Sequence, residues 1–325
     1  MPTYSAAAET EEGLHVIVLR DAERDAHAAI VPEIGNNLFR FVVGGRPVIQ
    51  SPEQTQDFKK DPSVAFRYGI PILYPPNRIK NGTFSYQGRT YRLPLNEPGN
   101  HLHGEISSKA WEVRDYGASE KDGAYATCRF RYADHPEIMA YFPHALLFEV
   151  TYRLYEGALT MESSILNEGK EEAPFAYGLH PYFPIFAEDG DEVRLQVPAA
   201  REWPVTSEAF VTGLPEATSF SIRAADGVDL REYPVLGCNM LEMLDGDRTC
   251  RIAMKSRGYT IAYRVDPGFP FVLAFRPPWA SAFSLEPYTY VTDAFNLPYD
   301  RALTGAKGIG PGEEFRFDNR LWIED

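Results

Sequence analysis

Two ionisable residues stand in apolar, aromatic surroundings where a charge is costly. Glu286 ends a strand-like apolar run within ASAFSLEPYTYVTDAFN (Ala280 to Asn296) and directly precedes Pro287. A buried carboxylate there must be paired, hydrogen-bonded or functional, and desolvation would raise its pKa toward the range of a general base. His180, within FAYGLHPYF (Phe175 to Phe183), lies among aromatic residues that would keep its pKa near or below neutrality. A carboxylate and an imidazole of this kind could work together as an acid–base pair.

Both residues also have a purely structural interpretation. Glu286 could point into water just past a strand end, and His180 could be a core histidine bonded to a backbone carbonyl. The aromatic side chains around His180 could also stack on the C–H faces of a pyranose ring. The local sequence leaves these interpretations open.

Two further segments present polar side chains beside prolines and glycines. In GIPILYPPNRIKNG (Gly69 to Gly82), prolines precede Arg78, so a rigid guanidinium fork is presented where a strand is interrupted. The fork suits sugar hydroxyls or a carboxylate, and the alternative is a surface arginine beside a proline turn. In NEPGNHLHGE (Asn96 to Glu105), His101 and His103 would face opposite sides of an extended segment, which argues against a shared metal site. Only one of them should line a pocket, unless both are satisfied loop histidines.

Strands must position these residues, because period-2 alternation of apolar and polar residues dominates the sequence. The best example predicts a hairpin, with alternating runs at 148–154 and 159–165 on either side of a Glu156-Gly157 turn. Glycine supplies the positive φ that tight hairpin turns need. Similar turns are predicted at Gly44-Gly45, Gln87-Gly88 and Arg257-Gly258.

Helical patterning is nearly absent, and 26 prolines and 25 glycines are spread along the 325 residues. This composition favours a mostly β protein built as a large sandwich or barrel. There is no fixed-period repeat and no linker, so residues 1–325 are expected to form one domain. Residues 201–235 are the least patterned stretch and are expected to be a long excursion from it.

The composition limits the classes of molecule that this protein is expected to bind. A formal net charge of −14 disfavours generic binding to nucleic acid or anionic membrane. The three cysteines show no CxxC spacing and are expected to be reduced thiols. Neither a signal peptide nor a membrane-spanning run is visible, so a cytoplasmic protein is expected, as a monomer or homodimer acting on a small molecule.

Taken together, the four segments resemble the aldose 1-epimerases (galactose mutarotases), particularly their bacterial short-loop branch. The resemblance is carried by NRI, LHG, GLHPYF and LEPYT-x4-DAFN, in this order, over roughly residues 65 to 300. It implies a large antiparallel β-sandwich, the supersandwich of the galactose mutarotase-like proteins. It further implies that Glu286 is the general base and His180 the general acid, and that Arg78 and His103 bind sugar hydroxyls. His101 inherits no role.

The implied reaction interconverts the α and β anomers of an aldose. The base removes the proton of the C1 hydroxyl while the acid protonates the ring oxygen, and each transfer contributes roughly 10²–10⁴-fold. The open-chain aldehyde then rotates about C1–C2, and the roles reverse on closure. This chemistry needs no cofactor, metal ion, nucleotide or covalent intermediate.

One segment departs from the family pattern. Members usually carry a hydroxyl-binding aspartate in a stretch like LDHCFT, whereas the comparable stretch here is PVLGCNMLEML (Pro234 to Leu244). A different sugar or a substitute residue from another loop is therefore expected. A hexose-6-phosphate mutarotase, with Arg67, Lys80 and Arg276 as candidate phosphate ligands, is one alternative function. A non-catalytic sugar-binding protein and, more remotely, a uronic acid lyase are others.

Overall fold

Antiparallel strands dominate the architecture, as the alternating sequence predicts. The computed structural model describes residues 2–186 and 190–325. The strands up to residue 167 are β1 (Tyr4–Glu11), β2 (Leu14–Asp21), β3 (Ala26–Val31), β4 (Asn37–Val43), β5 (Arg46–Pro47), β6 (Ile72–Leu73), β7 (Arg78–Lys80), β8 (Thr83–Tyr86), β9 (Arg89–Arg92), β10 (Asn100–Leu102), β11 (Glu112–Ser119), β12 (Gly123–Arg131), β13 (Leu146–Tyr155) and β14 (Ala158–Asn167).

The remaining strands form a second series of shorter segments. They are β15 (Ala173–Phe175), β16 (Gly178–Leu179), β17 (Tyr182–Pro184), β18 (Val193–Gln196), β19 (Ala199–Trp203), β20 (Val228–Asp229), β21 (Cys238–Met243), β22 (Thr249–Met254), β23 (Tyr259–Arg264), β24 (Phe271–Phe275), β25 (Ala282–Tyr288), β26 (Lys307–Ile309) and β27 (Glu314–Glu324).

The helices of the described residues are short. The α-helices are α1 (Asp57–Lys60), α2 (Pro136–Met139), α3 (Ser219–Asp226) and α4 (Arg301–Thr304). The 3₁₀ turns are Pro62–Phe66, Tyr132–Asp134, Lys255–Arg257 and Ala294–Asn296. Within residues 2–186 and 190–325, no helix has the length and apolarity to cross a bilayer.

Three large sheets organise these strands. A nine-stranded sheet runs β11-β12-β13-β14-β27-β23-β22-β18-β20, and a five-stranded sheet runs β1 to β5 in order. A seven-stranded sheet runs β19-β21-β24-β25-β16-β6, with β17 also paired to β25. The pairs β7–β10, β8–β9 and β15–β26 complete the architecture. The predicted mostly β, antiparallel sandwich is confirmed.

The main core lies between the sheets. Leu19, Phe148, Ile252, Val272 and Leu285, which come from all three large sheets, belong to one buried cluster. Burying such side chains stabilises each by about 1.5–3 kcal/mol relative to exposure. The opposite face of the seven-stranded sheet is covered by a second, smaller apolar cluster. This sheet is therefore buried on both faces, which is what allows a functional group on it to be desolvated.

The predicted hairpins are confirmed. β13 and β14 pair in register from Leu146 to Tyr155, and both turn residues, Glu156 and Gly157, have positive φ. Turns also join β4 to β5, β8 to β9 and β22 to β23 at the predicted dipeptides. The stretch 201–235 holds α3, which begins with a capping box at Thr218. A helix there is consistent with a pattern that did not alternate.

Candidate active site

Strand β25 carries the acidic residue of the site. Period 2 places Ser284, Glu286 and Tyr288 on one face of the strand, while Leu285 faces the main core. The Ser284 hydroxyl donates to Glu286 Oε1 at 2.7 Å, and the Tyr288 hydroxyl donates to Glu286 Oε2. Glu286 is 1% exposed, and this burial raises the pKa of its carboxyl to about 8, despite the opposing effect of the two hydroxyl donors.

His180 lies beside Glu286 because the chain leaves β25 after Gly178 and pairs with it again from Tyr182. Gly178 pairs with Tyr288 and Tyr182 pairs with Ser284, so His180 falls between β16 and β17, level with Glu286. Its backbone N–H donates to the Pro71 carbonyl at 2.9 Å. Its Nε2 atom lies 3.1 Å from Glu286 Oε1, and its ring stacks on Tyr182 with centroids 4.6 Å apart.

Burial favours the uncharged forms of both Glu286 and His180. Burial lowers the pKa of His180 to about 3 while it raises that of Glu286, since desolvation disfavours both charges. At neutral pH desolvation therefore favours the state in which the pair holds a single proton, on the Glu286 carboxyl, over the ion pair. Nδ1 of His180 is buried without a hydrogen-bond partner among the described residues. The imidazole is thus held by its backbone, by packing and by the Tyr182 hydroxyl, which lies 3.3 Å from Nε2, and the same nitrogen faces the carboxyl.

His103 forms a second wall, and its tautomer is fixed by the backbone. The Asn77 N–H donates to His103 Nδ1 at 3.1 Å, and the His103 N–H donates to the Asn77 carbonyl at 2.9 Å. Because Nδ1 accepts, the ring proton is on Nε2, which makes His103 a neutral donor. Burial lowers the pKa of His103 well below its usual value, and the nearby Arg78 guanidinium acts in the same direction. Its ring lies 5.2 Å from that of His180.

The glycine after His103 is required by the close approach of the backbone at Tyr74. Gly104 has φ +67°, and a Cβ atom there would lie 1.9 Å from the Tyr74 carbonyl oxygen. Only glycine tolerates both conditions. The LHG sequence therefore allows the chain to pack against Tyr74 while it turns His103 toward His180.

Arg78 is held firmly but retains free donors. Its Nε and one terminal nitrogen donate to the two carboxylate oxygens of Glu97 at 2.6 and 3.1 Å, and its other terminal nitrogen donates to the Glu208 carbonyl at 3.0 Å. A guanidinium has five N–H donors, so these three bonds leave two for a ligand. Arg78 acts on the pKa of both Glu286 and His103, which places all three in one electrostatic neighbourhood.

His101 takes no part in this cluster. Its Nδ1 bonds the Pro94 carbonyl at 2.6 Å, and its side chain lines an apolar cavity with Tyr74, Phe142 and Phe295. The two histidines of the LHG segment therefore face different surroundings. The structure thus brings together Glu286, His180, His103 and Arg78 and leaves His101 outside.

Sequence reasoning missed the residues that hold the carboxyl. Ser284 and Tyr288 lie two residues on either side of Glu286, so the alternation of β25 could have identified them as partners on its face. Asn77, in contrast, acts through its backbone, which no local pattern reveals. The same holds for Glu97, whose pairing with Arg78 depends on β10 returning beside β7.

The segment 234–244 presents few polar side chains to the site. Cys238 is the direct cross-strand partner of Phe275, which in turn faces Ser284, so these three side chains share the face of Glu286. Asn239 lies on the opposite face, where it bonds Glu202 and the Tyr233 hydroxyl. The segment therefore presents a thiol to the face of Glu286, and its amide lies on the other face.

Of the three candidate phosphate ligands, one borders the site. The Arg67 guanidinium lies 5.3 Å over the Trp279 ring, which packs near Tyr182. Arg276 donates instead to the carbonyls of Leu230 and Tyr233. Lys80 lines a separate cleft with Asn81 and Asp293.

The fold is that of a galactose mutarotase-like β-sandwich. Over 95% of this chain, a galactose mutarotase-like protein from Clostridium acetobutylicum superposes with a TM-score of 0.85 at 26% identity, with 96% of its own chain covered. Galactose 1-epimerase from Lactobacillus acidophilus NCFM superposes with a TM-score of 0.78 over 100% and 99% of the two chains, at 13% identity, which supports the fold alone.

The chain belongs to the aldose 1-epimerase family, whose sequence profile matches residues 16–320. The protein YihR of Escherichia coli K12, which is described as uncharacterized, is 33% identical over 148 residues. That alignment covers 44% of this chain and 45% of YihR, so it spans less than half of the relative. The family and the fold predicted from the four segments are thereby confirmed.

Proposed function

We propose that this protein is an aldose 1-epimerase that interconverts the α and β anomers of an aldose, with Glu286 as general base and His180 as general acid. The observation that supports this most is the 3.1 Å contact between His180 Nε2 and Glu286 Oε1 in a buried, uncharged site. O1 and the ring oxygen of an aldose are bonded to the same carbon. Two adjacent groups that share one proton are therefore suited to serve both oxygens at once.

Ring opening proceeds as two coupled proton transfers. Glu286 takes the proton of the C1 hydroxyl as the C1–O1 double bond forms, the C1–ring-oxygen bond breaks, and His180 Nε2 delivers its proton to the ring oxygen. The aldehyde rotates about C1–C2, and closure on the other face returns each proton. Positioned transfers of this kind contribute roughly 10²–10⁴-fold.

The shared proton must first move from Glu286 to His180. The movement leaves the net charge of the pair at zero, so burial opposes it less than it would oppose a lone charge. Hydroxyl donors from Ser284 and Tyr288 stabilise the carboxylate that is formed. The C1 hydroxyl of the bound sugar adds a third donor.

Arg78 and His103 orient the sugar in this proposal. Arg78 offers two free N–H donors, and His103 offers Nε2–H. The hydroxyl oxygens on the side of the sugar ring away from C1 can therefore accept hydrogen bonds from both residues. The bidentate contact of Arg78 with Glu97 fixes the fork before a ligand arrives.

Glu286→Gln tests the proposal, with exchange between glucose anomers followed by NMR saturation transfer. The amide keeps the shape of the carboxyl but cannot accept the proton, so the rate should fall roughly 10²–10⁴-fold. Glu242→Gln is the matched control, because Glu242 lies on the same sheet and is paired with Arg201. Equal rates for Glu286→Gln and the parent, on every sugar tested, would instead favour a non-catalytic sugar-binding protein.

A hexose 6-phosphate is a second candidate substrate, favoured by Arg67 over Trp279 at the edge of the site. His180 serves the ring oxygen, and C6 is attached to the next carbon of the ring, so a C6 phosphate would extend toward Tyr182 and Trp279. Anomer exchange of glucose and glucose 6-phosphate, compared in the parent and in Arg67→Gln, separates the two. Loss of activity on the phosphate ester alone in Arg67→Gln supports the second candidate.

A further inference from the structure

The side of the site across from His180 is formed by β24 and β21. His180 lies on one side of β25. On the other side, Phe275 on β24 is paired with Ser284 of β25, and Cys238 on β21 is paired with Phe275. Cys238 is two strand spacings of about 4.8 Å each from β25. Both Cys238 and Phe275 are partly exposed on this face, so they are the accessible part of that wall.

The polar groups of β21 are engaged elsewhere. Asn239 faces away and bonds Glu202 and Tyr233, and Glu242 forms an ion pair with Arg201 at 2.6 Å. Met240, Leu273 and Glu286 are cross-strand neighbours on β21, β24 and β25, and the first two are buried apolar side chains. The Cys238 thiol is neutral, because burial raises its pKa to about 12, with a smaller increase from Glu286 and an opposing effect from Arg78. A neutral thiol is only a weak hydrogen-bond donor and acceptor.

The roles of His180 and Glu286 orient the ring along this row. The ring oxygen, C1 and C2 are consecutive ring atoms, and the ring oxygen belongs beside His180 while O1 belongs beside Glu286. The next ring atom, C2, then lies toward β24 and β21. Resting on the proposed epimerase function, we infer that C2 faces Phe275 and Cys238, and that the site is suited to aldoses without a hydroxyl at C2, the 2-deoxy aldoses.

The expected selectivity has a bounded size. A C2 hydroxyl would leave water for a wall whose own side chains, Phe275 and Cys238, offer one weak partner, whereas a C2 methylene would lose nothing there. An apolar pocket rejects an added hydroxyl by at most about 10²-fold. We therefore expect 2-deoxyglucose to bind more tightly than glucose by about 10- to 100-fold. 3-Deoxyglucose should bind less tightly than glucose, because it lacks a hydroxyl on the side of Arg78 and His103.

The test measures affinity by calorimetry and anomer exchange by NMR for glucose, 2-deoxyglucose and 3-deoxyglucose. Cys238→Ser supplies a hydroxyl partner of similar size, so the preference for 2-deoxyglucose should shrink about ten-fold, while Cys238→Ala should keep it. Binding is read separately from turnover. Tight binding of 2-deoxyglucose without anomer exchange would therefore refute the epimerase, and the effect of Cys238→Ser on the preference would then decide the subsite by itself.

Other outcomes overturn the inference. Glucose that binds as tightly as 2-deoxyglucose or more tightly, or a preference that Cys238→Ser leaves unchanged, shows that C2 does not face Cys238. If neither sugar binds, the inference and the proposed function are both refuted.

Discussion

The two faces of the seven-stranded sheet use the same strands for different purposes. On β25, Leu285 is fully buried in the main core, while Glu286, the next residue, is 1% exposed on the opposite face. Both side chains are equally removed from water, yet one gains free energy from burial and the other loses it. The difference shows that desolvation on the second face serves a carboxyl whose protonation is tuned, whereas on the first it serves stability.

Substitutions at these neighbours should separate activity from stability most clearly. Leu285→Ala should lower the free energy of unfolding by about 2–5 kcal/mol, because it leaves a cavity in the core. Glu286→Gln should reduce anomer exchange roughly 10²–10⁴-fold and leave the free energy of unfolding the same or higher. A raised carboxyl pKa stabilises the fold only at low pH, and that contribution fades as pH rises through the folded pKa, so glutamine removes a cost at neutral pH.

Urea unfolding at pH 7 and NMR exchange measure both quantities on the same samples. The comparison fails if Glu286→Gln unfolds as readily as Leu285→Ala.

The uncharged pair predicts an asymmetric pH profile. Above the raised pKa of Glu286, about 8, the pair loses its only proton and no acid remains, so kcat/KM should fall about ten-fold per pH unit. Below neutrality the profile should stay flat over several units, since His180 gains its proton only near its lowered pKa of about 3. Initial rates from pH 5 to 10 measure it, and circular dichroism at each pH verifies folding. A fall centred on pH 6 to 7 would show a charged histidine in the free site.

Tyr288→Phe tests the link between the pKa of Glu286 and the pH profile. Its hydroxyl donates to Glu286 Oε2, and a hydrogen bond to a charged group stabilises it by about 1.5–3 kcal/mol. Without this bond the carboxylate is less stable, so the alkaline limb should move about one pH unit upward and the rate at pH 7 should fall about ten-fold. Tyr263→Phe, in the main core, is the control and should alter neither. An unmoved alkaline limb would exclude the proposed stabilisation of the carboxylate.

The smallest effect on activity is expected from a substitution at Asp293, which lies outside both faces of the seven-stranded sheet. Its Oδ1 accepts from the Lys80 N–H at 3.2 Å and from Asn296 Nδ2 at 2.8 Å, and Asn296 Nδ2 also donates to the Thr83 carbonyl. The DAFN sequence thus clamps β7 and β8, and β7 carries Arg78. Asp293→Ala should raise KM about five-fold, as one lost hydrogen bond of about 1 kcal/mol would, with kcat nearly unchanged. Asp318→Ala on β27 is the control, and an equal fall in kcat would argue against a positioning role.

Local patterns predicted much of the fold because a β-strand repeats every two residues. The β13–β14 hairpin was predicted from alternation and one Glu-Gly turn, and its register is as expected. The helix within 201–235 was not predicted, because α3 is stabilised by a capping box at Thr218 and by packing and shows no long apolar periodicity. That the chain is a single cytoplasmic domain, and a monomer or homodimer, stays a prediction.

The sequence by itself determined the kinds of group in the site and the order in which the chain supplies them. Glu286, His180, His103 and Arg78 could be selected because each stands beside prolines, glycines or aromatic residues that local physics marks as unusual. Only the tertiary structure decided which of them meet and in what state. The distance of His180 to Glu286 depends on β16 and β17 flanking β25, and the tautomer of His103 depends on a backbone N–H from another segment. Long-range strand pairing sets such contacts and the burial that tunes the pKa values, and neither is encoded within a short window of residues.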